Sequence, residues 1–128
     1  MTTGFFSHDD CMKHNMGAEH PECPERLAAI TSYLADTGLG QDLDWVRPDE
    51  ATRDQLLTVH PERYLNQLDL MQPTRGRVYT DPDTAMMPDT LRAARLAAGP
   101  SLEAVDMVLS RQLTHAFVCA RPPGPHAE

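Results

Sequence analysis

The sequence predicts an α/β fold in which helices flank a parallel sheet. Apolar segments with strand character alternate with helical segments, in the order strand, helix, strand, helices, strand. The last apolar segment, residues 116–120, is unbroken and bounded by polar residues, as expected for a strand buried on both faces. The 128 residues correspond to one domain rather than two.

The first part of the chain predicts a strand, a long loop and a helix. Residues 2–7 are short and apolar, whereas residues 8–24 show no periodicity and indicate a loop of the kind that is often functional. Pro24 opens the helix, because proline is tolerated in the first helical turn, and Gly38 and Gly40 end it. The apolar side chains at helical spacing are Leu27, Ile30 and Leu34.

The middle of the chain predicts short elements separated by turns. Residues 43–47 are predicted to form a short strand. A helical turn over residues 52–57 and a short helix over residues 64–68 follow. Residues 72–84 are expected to be a loop, with a short extended piece at residues 77–79.

The longest helical pattern begins at Pro88 and extends to Leu109. Gly99 and Pro100 interrupt it in the middle. An interior proline destabilises a helix by about 3 kcal/mol. We therefore expect a kink or two abutting helices at this point.

Composition and charge restrict the class of partner. Lys and Arg total 11 and Asp and Glu total 19, so the net charge is −8 with histidine neutral. An acidic chain gains little from counterion release on phosphates, so cationic ligands or basic protein tails are expected rather than nucleic acid. No apolar run approaches the roughly 18 residues that span a bilayer, and the start lacks a signal-peptide pattern, so no membrane association is expected. The sequence leaves the oligomeric state open.

Metal-type ligands are concentrated in the predicted loop. Imidazoles and thiolates at such spacing can bind zinc, but no second half with ordered spacing follows. An ordinary polar loop is therefore favoured over a small metal-binding module. The odd set of three cysteines predicts no disulfide framework and favours a reducing, cytoplasmic location. The potential ligands are His8, Cys11, His14, His20 and Cys23.

Two further segments carry candidate site residues. Asp81 could bind a cation or an amide N–H, although aspartates in such a segment more commonly form turns. His126 follows the last predicted strand in a loop rich in proline and glycine. A neutral histidine in that position could act as a general base near pH 7.

Four segments together resemble the N-terminal part of the histone deacetylase family, in the bacterial branch that includes acetylpolyamine amidohydrolases. HPECPERL resembles the family's HPERPERL signature, and LLTVHPERYL resembles its VH-x3-Y segment. DPDT with the alanine-rich helix after it resembles the next block, and ARPPGPHAE resembles RPPGHHAE. The four segments occur in the family's order and lie within residues 8–128.

The resemblance implies the arginase-deacetylase fold, a three-layer α/β arrangement whose active site lies at the carboxyl edge of a parallel sheet. It also implies a zinc-dependent amidohydrolase that removes acetyl groups from acetyl-lysine in peptides or proteins, or from acetylpolyamines. In that chemistry zinc polarises the acetyl carbonyl and activates water, and a histidine exchanges protons with the water and the leaving amine.

The resemblance assigns roles to three residues. His126 matches the second histidine of the family's pair and is the expected catalytic base. Asp81 matches the aspartate that holds the substrate backbone at the rim of the pocket. Arg26 matches the basic residue of the inner channel.

Two departures from the family pattern affect the expected activity. Pro125 stands where the family has its first histidine, and proline has neither a titratable group nor an N–H. No residue in the chain matches a zinc ligand of the family. We therefore expect residues 1–128 to be the N-terminal part of one deacetylase domain, truncated before its metal-ligand strands and inactive alone. The alternative is a truncated, non-catalytic binding or decoy module.

Overall fold

The computed structural model of the chain describes residues 2–123 and has a parallel sheet at its centre. Two short 3-10 helices, four α-helices and five strands are present in these residues. In chain order the elements are β1 (Thr3–Phe6), a 3-10 helix (Asp9–Lys13), α1 (Pro24–Asp36), a 3-10 helix (Gly38–Asp42), β2 (Leu43–Val46), α2 (Arg53–Leu57), α3 (Glu62–Met71), β3 (Val78–Asp81), β4 (Thr84–Met86), α4 (Thr90–Leu109) and β5 (His115–Val118).

The sheet has the order β2-β1-β5, and β1 is parallel to both neighbours. Phe5 lies opposite Trp45 on one side and Phe117 on the other. The ring centroids are 4.7 Å apart for Phe5 and Trp45 and 5.9 Å apart for Phe5 and Phe117. These aromatic contacts between neighbouring strands fix the register of the sheet.

Helices cover both faces of the sheet. Successive strand residues point to opposite faces, so Phe5 and Phe6 lie in different apolar clusters. Phe5 packs with Leu27 of α1, whereas Phe6 packs with Ala104 in the second half of α4. This helix–sheet–helix arrangement confirms the predicted α/β class.

Helix α1 begins and ends where the sequence predicts. Pro24 occupies the first turn, where its missing N–H leaves no helical hydrogen bond unmade. Glu25 follows, and a carboxylate is favourable beside the N-terminal end of the helix dipole. Leu27 is fully buried in the core below the helix.

Helix α4 runs through Gly99 and Pro100 as one element, so the predicted possibility of two abutting helices is wrong. The carbonyl of Arg95 accepts a hydrogen bond from the backbone N–H of Ala51 at 3.0 Å. At Gly99 the two backbones meet so closely that a Cβ would lie 2.3 Å from the carbonyl oxygen of Asp49. This tertiary packing outweighs the local helical penalty, because most helical stability in proteins comes from packing.

Two segments that the sequence predicts as loops contain regular structure. Within residues 8–24, a 3-10 helix is capped by the His8 ring, which accepts a hydrogen bond from the N–H of Asp10 at 3.0 Å. In the second segment, residues 72–84, β3 overlaps the short extended piece predicted at residues 77–79, and it pairs with β4 as an antiparallel hairpin that the sequence does not predict. All four residues of β3 are exposed, so the apolar alternation that marks a half-buried strand is absent.

The last strand is more exposed than the sequence predicts. In the described part of the chain β5 is an edge strand, with Ala116 and Phe117 exposed and Val118 half-buried. The expectation of burial on both faces is therefore wrong for this strand, which has a neighbour on one side only. None of the helices within residues 2–123 is long and apolar enough to cross a membrane.

Candidate functional site

A cleft of about 760 Å³ lies where the loops after β1 and β5 meet the β3–β4 hairpin. Residues 16–22 form one wall, Tyr79 and residues 82–84 form another, and Pro123 follows β5 into the lining. The carboxyl edge of a parallel sheet is the usual ligand-binding side of an α/β fold. This cleft is therefore the candidate functional site.

Arg121 fixes the loops that surround the cleft. Its guanidinium is fully buried and donates from Nε and Nη2 to the two carboxylate oxygens of Glu22, at 3.0 and 2.8 Å. Nη1 donates to the carbonyl oxygens of Cys11, at 2.7 Å, and of His14. A buried guanidinium is stable only when paired in this way. One side chain therefore joins the first 3-10 helix, the end of β5 and residues 20–23 of the HPECPERL segment, called the signature loop below.

The cleft wall formed by residues 16–22 is organised by its own backbone. The amide of Gly17 donates to Oδ1 of Asn15 at 2.9 Å, and its carbonyl accepts from the amide of His20 at 3.2 Å. Gly17 has a φ of 120°, a left-handed conformation that favours glycine. Arg77 donates from Nε to the carbonyl of Asn15 at 3.0 Å and so joins this wall to the hairpin.

His20 makes a second connection between the two walls. Its Nδ1 accepts a hydrogen bond from the amide of Glu22 at 3.1 Å, so a neutral ring carries its proton on Nε2. Nε2 lies 3.2 Å from the carbonyl oxygen of Asp83 at the hairpin tip and donates to it in this tautomer. The histidine of the HPECPERL segment therefore positions the rim of the cleft.

Arg26, predicted to line an inner channel, lies beside the buried pair. Its Nη2 donates to the carbonyl oxygen of Ala120 at 3.1 Å and is 3.7 Å from Oε1 of Glu22. The side chain is 44% exposed, whereas that of Arg121 is completely enclosed. The channel role of Arg26 stays a prediction.

Asp81, predicted to hold substrate, lies at the end of β3 beside the hairpin turn. Its Oδ1 accepts a hydrogen bond from the amide of Asp83 at 2.8 Å. This bond, together with hydrogen bonding by Thr84, lowers the pKa of the Asp81 carboxyl below its usual value. The carboxylate forms the turn that its sequence context indicates, and its role toward substrate stays a prediction.

The small metal-binding module is wrong for the described residues. Within residues 2–123 no three His, Cys, Asp or Glu side chains converge on a possible metal position. Cys11 lies in the apolar core, and burial raises the pKa of its thiol, which disfavours the thiolate that a metal requires. Nδ1 of His14 lies 2.8 Å from the hydroxyl of Thr90, and Nδ1 of His8 is occupied by the amide of Asp10.

His126 and Pro125 lie outside the described residues, so the general base stays a prediction. The residue that the sequence analysis missed is Arg121, the arginine of the RPPG segment. An arginine directly after an apolar strand is a signal that could have identified it. A guanidinium that becomes buried when helices pack on the sheet needs a carboxylate or another acceptor as partner. Nothing local in the sequence identifies Glu22 as that partner.

Comparison with known proteins gives one family. The sequence profile of the histone deacetylase domain matches residues 20–128. A probable deacetylase of Archaeoglobus fulgidus is 34% identical over 130 residues, covering 100% of this chain and 36% of the relative. A histone deacetylase-like amidohydrolase of Pseudomonas aeruginosa is 30% identical, covering 97% and 37%. The polyamine deacetylase HDAC10 of Mus musculus is 30% identical, covering 100% and 21%.

The fold agrees with these sequence matches. The crystal structure of the HDA15 HD domain superposes with a TM-score of 0.88 at 27% identity, over 97% of this chain and 36% of that one. The chain thus spans between about a fifth and two fifths of the length of these three relatives. The resemblance and the arginase-deacetylase fold are confirmed, and the chain belongs to the histone deacetylase family.

Proposed function

We propose that this chain forms the N-terminal part of a deacetylase that hydrolyses the acetyl amide of acetyl-lysine or of an acetylpolyamine. The buried pair of Glu22 and Arg121 carries the proposal. It joins the HPECPERL and RPPG segments, the two most distinctive matches to the family, into one cleft wall. The cleft lies at the edge of the sheet where an α/β enzyme binds its substrate.

The chain's own residues would bind and orient the substrate in this proposal. Tyr79 and the hairpin tip offer a rim against which an extended substrate can lie, and Asp81 would hold its backbone. His126 would accept a proton from the attacking water and return it to the leaving amine. Arg26 would line an inner channel near the carbonyl of Ala120.

The proposed activity of a complete family domain requires zinc. The residues within 2–123 do not fit a zinc site. No group of three metal-type ligands exists within residues 2–123. Residues 2–123 therefore supply no metal site. Their proposed contribution is the shape and the hydrogen bonding of the cleft.

The net charge of −8 supports a cationic substrate, such as a basic protein tail or a polyamine. The free thiols of Cys11, Cys23 and Cys119 support a reducing compartment such as the cytoplasm. An acetyl-lysine peptide and an acetylpolyamine both contain the acetyl amide. Only the peptide has a peptide backbone for Asp81 to hold. The substrate class is therefore decided by assaying both.

Two assays test the proposal. The 128-residue chain, supplied with Zn²⁺, is expected to release no acetate from an acetyl-lysine peptide or from N-acetylspermidine. A chimera in which the chain replaces the matched 37% of the Pseudomonas aeruginosa amidohydrolase is expected to hydrolyse at least one of them.

Variants of the chimera separate binding from proton transfer. Pro125→His restores the histidine pair and is expected to raise turnover by up to about 10²-fold, the lower end of the contribution of a proton-transfer partner. His126→Ala in the same background should remove that gain. A folded Pro125→His chimera that hydrolyses neither substrate would refute the deacetylase function and favour a non-catalytic binding module.

A further inference from the structure

The ring of His14 is a buried titratable group to which the proposed chemistry assigns no task. It is 2% exposed and lies between the start of α4 and the loop that forms a wall of the cleft. Nδ1 is 2.8 Å from Oγ1 of Thr90, which also accepts a hydrogen bond from the amide of Met87 at 2.9 Å. The backbone carbonyl of His14 accepts a hydrogen bond from Arg121. One residue therefore connects the cleft wall to both α4 and the buried guanidinium.

The surroundings of this ring suit the neutral form only. The charged and titratable groups that face it are Arg121 at the end of β5 and Glu22 and His20 in the signature loop, while α4 presents the uncharged hydroxyl of Thr90. Both carboxylate oxygens of Glu22 are already bound by Arg121. A proton on His14 would place a second cation in the same pocket without a free carboxylate to balance it.

We propose that His14 is a proton-sensitive contact that holds the cleft wall closed when neutral and releases it when protonated. The Thr90 hydroxyl can donate to Nδ1 or accept from it, so this hydrogen bond is possible in both protonation states of the ring and the cost of the proton is electrostatic. Opening of residues 9–22 exposes the charged ring to water and separates it from Arg121. The inference concerns the shape of the cleft and does not depend on the deacetylase function.

The direction of the response follows from linkage. Burial, and next the charge of Arg121, lower the pKa of His14 below its usual 6.5. The open state binds the proton more tightly than the closed state, so closure is favoured above pH 6.5 and weakens as the pH falls below it. One linked proton changes the closing equilibrium by at most about tenfold for each pH unit.

Hydrogen exchange of the wild-type chain between pH 5 and 8 tests the proton-sensitive contact of His14 without any substrate. After correction for intrinsic exchange, the amides of Cys11, Gly17 and His20 are expected to lose protection below pH 6.5, by up to about tenfold per pH unit. His14→Asn, whose Oδ1 can accept the Thr90 proton without titrating, should flatten this dependence. His115→Asn, which removes an exposed histidine in β5, should leave it unchanged.

An NMR titration of the histidine rings decides the matter even if the His14→Asn variant fails to fold. The His14 ring should take up its proton only below pH 6.5, the usual value for histidine. A His14 ring that is half charged at or above pH 6.5 would overturn the proposal. The same acid-induced loss of protection in a folded His14→Asn chain would overturn it too.

Discussion

Glu22 and Arg121 are 99 residues apart in the sequence, yet the two carboxylate oxygens of Glu22 accept hydrogen bonds from Nε and Nη2 of Arg121. Such a bidentate pair specifies geometry as well as charge, because the planar guanidinium fits a carboxylate in one orientation. The shape of the cleft depends on that orientation, since its walls come from chain segments on either side of the pair.

Arg121→Lys is expected to destabilise the chain by about 3 kcal/mol, although it keeps the charge. A lysine cannot reach Glu22 and the two backbone carbonyls together, so buried partners stay unsatisfied. Urea denaturation followed by Trp45 fluorescence gives the free energy of unfolding. Arg53→Lys, which alters the exposed ion pair with Asp69, should cost about 1 kcal/mol or less. Equal losses in the two variants would show that burial of Arg121 contributes nothing.

Gly99→Ala is expected to cost about 1–3 kcal/mol, as overpacking does. Alanine is the better helix former by about 1 kcal/mol, but its Cβ would meet the backbone of residues 49–51. Gly38→Ala is the matched control, because a Cβ there meets nothing within 4 Å and should change stability by no more than about 0.5 kcal/mol. A Gly99→Ala chain as stable as wild type would mean that residues 49–51 do not pack closely against α4 at Gly99.

Asp10→Asn is expected to lower stability at neutral pH and to matter less in acid. Hydrogen bonds from Lys13, at 3.1 Å, and Arg92, at 3.0 Å, lower the pKa of the Asp10 carboxyl below 3.8. Its stabilising effect is complete above pH 3.8 and is lost as the pH falls through the folded-state value. Melting temperatures of the two chains should therefore converge below pH 3.8. Asp106→Asn, at a residue without an ion pair in the described chain, should show no such convergence.

A row of apolar side chains on α4 is expected to cause self-association. Leu102, Val105 and Leu109 lie on one face of the helix and are 43%, 56% and 77% exposed. Exposed apolar patches promote association, so light scattering at micromolar concentration should give a mass above 14.2 kDa. Glutamate at both positions 105 and 109 should restore the monomer, whereas Ser101→Glu should not. A monomeric wild-type chain contradicts the prediction.

Local patterns predicted the elements whose residues carry their own signals. Pro24 and the apolar spacing of Leu27, Ile30 and Leu34 indicated α1, and apolar runs indicated β1 and β5. Residues 77–79 indicated an extended piece, but the pairing of β3 with β4 was not predicted, because β3 is wholly exposed and follows no apolar alternation. The continuity of α4 through Pro100 could not be predicted from the local sequence, because it depends on the packing of the helix against residues 49–51.

The candidate site was predicted in part. The HPECPERL and RPPG segments were recognised, and the structure brings them together. The bond between Glu22 and Arg121 could not be predicted from periodicity, because it joins distant residues whose neighbours show no common pattern. Asp81 had two interpretations from the sequence, and the turn that it forms with Asp83 agrees with the more common one.

The position of β1 in the middle of the sheet has a consequence for synthesis of the chain. Thr3 pairs with Leu43 and also with His115, which leaves the ribosome 112 residues after it. At about 5–20 residues per second, β1 waits roughly 6–22 s for its second neighbour. During that interval one edge of its backbone is open to other strands, so a nascent chain is exposed to wrong strand pairing until residue 118 emerges.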